Sequence, residues 1–225
     1  MQKYEQNLKE IVRKIEASRS RLGKHHIVKI VAISKYNKAE DIESLYTAGQ
    51  RAFGESKVQD LSKKNEILEH LPIEWHFVGR LQKNKINHLL NVKPYLIHSI
   101  DSFILACELD KRVKERGIKQ SILLQINSAN EDTKAGVLPK DAIDIYKKIE
   151  DSCPSLDICG VMSIGAHTNN IDTIKRSFDT TKKIFDSLGD GARILSMGMS
   201  GDFELAIECG SNMVRIGSSL FNQDI

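Results

Sequence analysis

Apolar residues recur along this chain in two alternating rhythms, a helical period and short continuous runs. Tyr4, Leu8, Ile11, Val12 and Ile15 share one face of a helix over 2–22 that ends near Gly23. The run Val28-Lys29-Ile30-Val31-Ala32-Ile33 predicts a first strand, and a helix follows over about 38–48, closed by Gly49. The pattern then repeats. Strands are expected at 51–53, 74–78, 95–98, 121–126, 156–164, 192–195 and 213–216. Between them fall helices over about 56–69, 82–91, 101–116 and 139–150, one carried by Ile171, Ile174, Phe178, Phe185 and Leu188, and one over 202–209. Pro139 stands where the first turn of a helix tolerates proline.

Eight strands separated by helices imply a parallel sheet, because parallel neighbours need crossover connections. Eight such units is the count at which the sheet closes on itself. The expected fold class is therefore α/β, a single-domain (β/α)8 TIM barrel over 1–225 with an extra N-terminal helix that covers the gap after the eighth strand. An open doubly wound sheet is the alternative.

Composition narrows the partners more than the fold. The 225 residues are 40% hydrophobic and 28% charged, enough for one sizeable core and short for two full domains. A net charge of +3, with acids interleaved among the bases, gives neither a nucleic-acid stripe nor a polybasic membrane anchor. The N-terminus is charged from the start and lacks the apolar core of a signal peptide, and the apolar runs are strand-sized. Cys107, Cys153, Cys159 and Cys209 form no C-x-x-C pair and no metal spacing with the seven histidines, so they read as free thiols in a reducing compartment. A cytoplasmic protein is expected, and, since no long apolar surface run calls for a dimer, a monomer.

Function in such a barrel sits at the C-terminal ends of the strands. Those positions hold Lys35, Glu55, Gly79, Ser99 with Asp101, Asn127, Met162 with Ser163, Ser196 to Ser200, and Arg215 with Gly217. Lys35 follows Val31-Ala32-Ile33-Ser34. At the barrel mouth its ammonium would be partly desolvated, which favours an imine with an aldehyde, although a lysine at a strand end also simply reaches water. Ser196-Met197-Gly198-Met199-Ser200-Gly201-Asp202 and Arg215-Ile216-Gly217-Ser218-Ser219 are glycine- and hydroxyl-rich loops after strands seven and eight, where these barrels build phosphate sites. Each loop alone also reads as an ordinary helix cap. Arg215 is placed to meet a second acceptor of the same ligand, or else to pair with an interior acid such as Glu55. Arg80 to Lys85 reads as a solvated helix face, His76 as a hydrogen-bonded core histidine, and Asn127 to Gly136 as a polar loop able to order over a ligand.

Taken together, Ala32-Ile33-Ser34-Lys35, Phe53-Gly54-Glu55-Ser56, Trp75-His76-Phe77-Val78-Gly79-Arg80-Leu81-Gln82, His98-Ser99-Ile100-Asp101, Thr133-Lys134-Ala135-Gly136, Ser196-Met197-Gly198-Met199-Ser200 and Val214-Arg215-Ile216-Gly217 resemble the pyridoxal phosphate homeostasis protein family over about 5–221. The resemblance implies a barrel similar to the N-terminal domain of alanine racemase, with pyridoxal 5′-phosphate (PLP) on Lys35. It further implies phosphate held by Ser200 and the backbone of Gly217 and Ser218, and Arg215 facing the pyridine nitrogen. Position 56 is Ser where the family usually has Asn, so no role is carried to it, and the tail Phe221 to Ile225 lacks the usual glycine. The implied function is a PLP carrier or buffer rather than an enzyme, with apo PLP-dependent enzymes as possible recipients. The rivals are a PLP-dependent racemase or lyase, which needs a second base that an added domain supplies in alanine racemase, and a sugar-phosphate barrel, which leaves Lys35 unexplained.

Overall fold

The computed structural model describes residues 2–21, 26–129, 131 and 135–221. Its strands are β1 (Lys29–Ile33), β2 (Ala52–Glu55), β3 (Glu74–Phe77), β4 (Leu96–Ile100), β5 (Gln120–Ile126), β6 (Leu156–Ser163), β7 (Ile194–Ser196) and β8 (Met213–Ile216). All pair in parallel and in chain order, and β8 returns to β1 to close the barrel. The doubly wound alternative is thereby excluded.

The helices are α1 (Gln2–Arg21), α2 (Ala39–Thr47), α3 (Val58–Ile67), α4 (Ile86–Asn91), α5 (Phe103–Glu115), α6 (Ala142–Ser152), α7 (Ile171–Asp186), α8 (Phe203–Glu208) and α9 (Ser218–Phe221). Single 3-10 turns at Lys83–Lys85 and Pro139–Asp141 open α4 and α6, where the sequence pattern predicts continuous helices. Ser102 and Asn170 cap α5 and α7 by accepting the amides of Leu105 and Thr173, which satisfies donors that a helix start leaves bare. The expected role of α1 is realised. It packs along α8 and α9, Asn7 Nδ2 donates to Leu220 O at 3.0 Å, and the Tyr4 ring meets Phe221 edge-on.

Alternation along each strand divides the apolar residues into two cores. Phe53, Trp75, Phe77, Ile97, Leu124, Val214 and Ile216 face outward under the helices. Val31, Ala52, Leu96, Leu123, Cys159, Met162 and Met213, with Ile33 and Ile194, fill the interior. Toward the C-terminal end this apolar filling gives way to a polar layer, described next. Among the described residues no helix is long and apolar enough to cross a membrane, and no cluster of His, Cys, Asp or Glu could hold a metal ion. The four cysteines are free; burial pushes Cys153 and Cys209 up to about 12 and Cys159 to about 11, which keeps them as thiols.

Candidate functional site

Two residues beyond the last interior apolar side chain of β8, strand parity turns Arg215 into the barrel. Arg215 is only 5% exposed. Nη1 donates to Ser196 O at 2.9 Å and Ser196 Oγ at 2.7 Å, and Nη2 donates to Ser163 O at 2.8 Å. All three acceptors are neutral. The alternative pairing with Glu55 is not what forms, because Ala52 and Gly54 are the inward positions of β2 and Glu55 faces the helices. There Glu55 Oε1 accepts from Lys64 Nζ at 2.5 Å and Ser34 Oγ at 2.7 Å. Burial pushes Arg215 down to about 10, opposed by the charge of Asp202, and it remains a cation at neutral pH.

Ser200 lies half-buried in the loop after β7. Its Oγ accepts the backbone N–H of Gly217 at 3.2 Å, so the loops after β7 and β8 meet at this hydroxyl. A second bond, Arg215 N–H to Gly198 O at 3.0 Å, ties the same two segments. Gly198 makes the approach possible. It holds φ at +93°, and a Cβ there would lie 2.7 Å from Ala206 Cβ and 2.8 Å from Phe203 Cα. The carboxylate of Asp202 accepts the amide of Met199 at 2.6 Å, which tightens the turn before α8. Ser218 is exposed at the first position of α9. A cleft of about 560 Å³ opens beside the loop, lined by Ile164, His167, Thr168, Met199 and Asp202.

Lys35 stands two residues past the end of β1, next to the β8 rim, since Ala32 pairs with Ile216. Its parity follows Val31 and Ile33, the inward positions of β1. The expected desolvation is absent. The chain has already left the barrel in a turn at 35–36, so Lys35 is exposed, with Nζ 4.9 Å from the centre of the Tyr36 ring. It borders a cleft of about 430 Å³ with Tyr36, Lys63 and Lys64 on the α2–α3 side. Ser200 is thus bonded to Gly217, and Arg215 to Gly198, Ser196 and Ser163, whereas the Lys35 side chain is turned to a separate cleft at the same rim.

The other rim positions divide. Asn127 Nδ2 donates to Glu131 O at 2.8 Å and Gln125 Nε2 to Ala135 O at 2.9 Å, pinning the loop after β5 back onto the barrel. Lys134 and the tail 222–225 lie outside the described residues. Arg80 is solvated, 3.9 Å from Asp101, as expected, but it lies before the 3-10 turn at Lys83–Lys85 rather than on a helix face. Gly79 lets the chain pass against the backbone of Ser56, where a Cβ would fall 1.9 Å from the carbonyl oxygen.

Sequence reasoning misses one feature. His76 and His98, both buried, face each other inside the barrel with Nδ1 of His76 2.8 Å from Nε2 of His98. Nδ1 of His98 lies 3.2 Å from Ser196 Oγ, the same hydroxyl that Arg215 bonds. Burial pushes His76 down to about 3, helped by the charge of Lys29. His98 is held well below the ordinary range by burial first, then by His76, Arg215 and Lys29. Both rings are neutral at pH 7.

The closed parallel barrel thus carries a lysine past β1, a serine–glycine bridge between the β7 and β8 loops and an inward arginine on β8. The family model described as alanine racemase, N-terminal domain, matches residues 6–224. The chain is 52% identical over 98% of its length to the pyridoxal phosphate homeostasis protein of Helicobacter pylori strain 26695, of which it covers 99%. It is 37% identical over 87% of its length to the protein of that name from Mus musculus, of which it covers 76%. It belongs to the pyridoxal phosphate homeostasis protein family. Among solved structures, PipY of Synechococcus elongatus PCC7942 with PLP bound is 31% identical, with a TM-score of 0.79 over 92% of this chain and 100% of that one. Alanine racemase from Corynebacterium glutamicum shares the fold at a TM-score of 0.72 and 14% identity; the match covers 98% of this chain and 60% of that one.

Proposed function

We propose that this protein binds PLP at the β1–β7–β8 rim and serves as an intracellular carrier or buffer of it. The observation that carries the reading is Arg215, a buried permanent cation whose bonds all go to neutral oxygens, beside a serine–glycine bridge at a rim where such barrels take phosphate. The residues fit the group. Ser200 Oγ already accepts from Gly217, which leaves its own hydrogen to donate to a phosphate oxygen. In this reading the backbone of Gly217 and Ser218 adds donors beside Ser200, and the Gly217 amide also fixes the Ser200 hydroxyl. Arg215 can only donate, which suits it to an unprotonated ring nitrogen. Lys35 supplies the primary amine, and a rotation of its exposed, unbranched side chain brings it from the Tyr36 ring to the inward side its parity specifies.

When bound, PLP supplies an aldehyde that an amine can hold reversibly and a ring that can withdraw electrons from an attached amino acid. An arginine at the ring nitrogen opposes that withdrawal, because it disfavours a second positive charge beside it. Lys35 is the one evident base assigned to the site, and racemisation takes a pair. Support for a carrier role comes from the relatives named as homeostasis proteins. Apo PLP-dependent enzymes are the recipients we propose.

Two measurements test this. Ser200→Ala is expected to weaken PLP about ten- to a hundredfold while barely changing binding of unphosphorylated pyridoxal, the cost of one hydrogen bond to a charged group. Equal weakening of both would move the phosphate elsewhere. The PLP-loaded protein, given L-alanine or L-serine, is expected to pass PLP to an apo-enzyme without appreciable α-proton exchange or racemisation. Turnover near the enzyme median of about 10 per second, lost in Lys35→Ala, would replace the carrier reading with catalysis.

A further inference from the structure

His76, His98 and Ser196 form a buried chain behind Arg215 that the proposed binding mode leaves unused. Its proton order follows from what each group can do. Arginine has no acceptor, so Ser196 Oγ must accept from Nη1. The serine hydrogen then has one acceptor within the chain, Nδ1 of His98. His98 therefore carries its proton on Nε2 and donates it to Nδ1 of His76, whose own proton is on Nε2. That atom is buried and has no partner among the described residues. The reverse order would leave two buried groups unmet, the serine hydrogen and the lone pair on His76 Nε2, instead of one. A protonated ring is disfavoured by burial and by the facing charges of Arg215 and Lys29.

We infer that Ser196 and His98 are positioning residues for Arg215, holding its guanidinium through a hydrogen-bond chain of fixed direction, Arg215 to Ser196 to His98 to His76. The inference rests on the PLP reading and names how the ring-nitrogen contact of that site is aimed. Ser196 is bound by both its carbonyl and its hydroxyl to one Nη, and Ser163 O holds the other, so the plane of the guanidinium is set from two strands. Without the serine hydroxyl that plane is fixed by the carbonyls of Ser196 and Ser163 alone.

The test compares PLP with its analogue bearing carbon in place of the ring nitrogen. Ser196→Ala and His98→Leu are expected to raise the Kd for PLP about tenfold and to leave that for the analogue within about twofold of native. His98→Gln keeps an acceptor for the serine and is expected to restore near-native PLP binding. Equal weakening of both compounds, or of neither, overturns the positioning role. If His98→Leu does not fold, Ser196→Ala carries the comparison, since it removes a single oxygen. Nitrogen-15 NMR of the ligand-free native protein reads the direction independently. Protons on Nε2 of both His76 and His98 are expected, and a proton on Nδ1 of His98 overturns the chain. A native protein that takes up neither compound would instead overturn the PLP reading, with the NMR result still deciding the proton order.

Discussion

Replacing Lys35 with alanine is expected to abolish covalent retention of PLP while leaving a weaker, phosphate-dependent remainder held by Ser200. Strand pairing sets Lys35 next to the β8 rim, and its parity matches that of Val31 and Ile33 inside the barrel. The amine is exposed beside Tyr36, so it is accessible to an incoming aldehyde and equally to water or a competing amine, as a carrier that must release its cargo requires. Borohydride treatment of the loaded native protein, followed by peptide mapping, should place the pyridoxyl label on Lys35. The variant should retain essentially none and lose its yellow colour after dialysis. Label mainly on Lys57 or Lys64, or undiminished label in the variant, would sink the assignment. Lys64 is a poor competitor because Glu55 and the carbonyl of Ser34 already engage its ammonium.

The barrel was legible because its cause is local: each strand is a short apolar run and each helix a stripe, and both rhythms survive in one dimension. The loops after β7 and β8 were legible for the same reason, since glycines and hydroxyls directly after an apolar run mark a rim. What could not be read is which inward positions share a layer. His76, His98, Ser196 and Arg215 come from four strands, and their meeting depends on barrel stagger, including the register shift between Ile97 and Ile100 on β4. The sequence reading took His76 as a hydrogen-bonded core histidine and Ser196 and Arg215 as rim positions, and inward parity marks each singly as interior without showing that they meet. Lys35 shows the opposite failure. Its strand is buried, but whether a side chain two residues past the strand end stays inside is decided by a turn, which apolar periodicity does not describe.

Acidification from pH 7 to pH 5 is expected to cost the ligand-free protein about 2 kcal/mol through His76, with His98 adding a loss of the same sign. Both are held below their ordinary range when folded: His76 to about 3 by burial and then Lys29, His98 by burial and then His76, Arg215 and Lys29. In the unfolded chain each protonates near 6.5. Between that value and the folded one the unfolded state binds more protons, so stability rises with pH across this window and is lost as pH falls. A ring that stays neutral in the folded state contributes about 1.4 kcal/mol per pH unit once the unfolded form is protonated, which for His76 down to pH 5 gives about 2 kcal/mol. Asp202 works in the opposite sense, because burial raises it, but it is common to both proteins when native is compared with His76→Gln/His98→Gln. Urea unfolding at pH 7 and pH 5 should therefore show a much shallower loss in the double variant, even if that variant is less stable at pH 7 for want of the chain's hydrogen bonds. Equal losses in the two proteins would mean that the histidines already protonate in the folded state, and the neutral interior layer behind Arg215 would have to be abandoned.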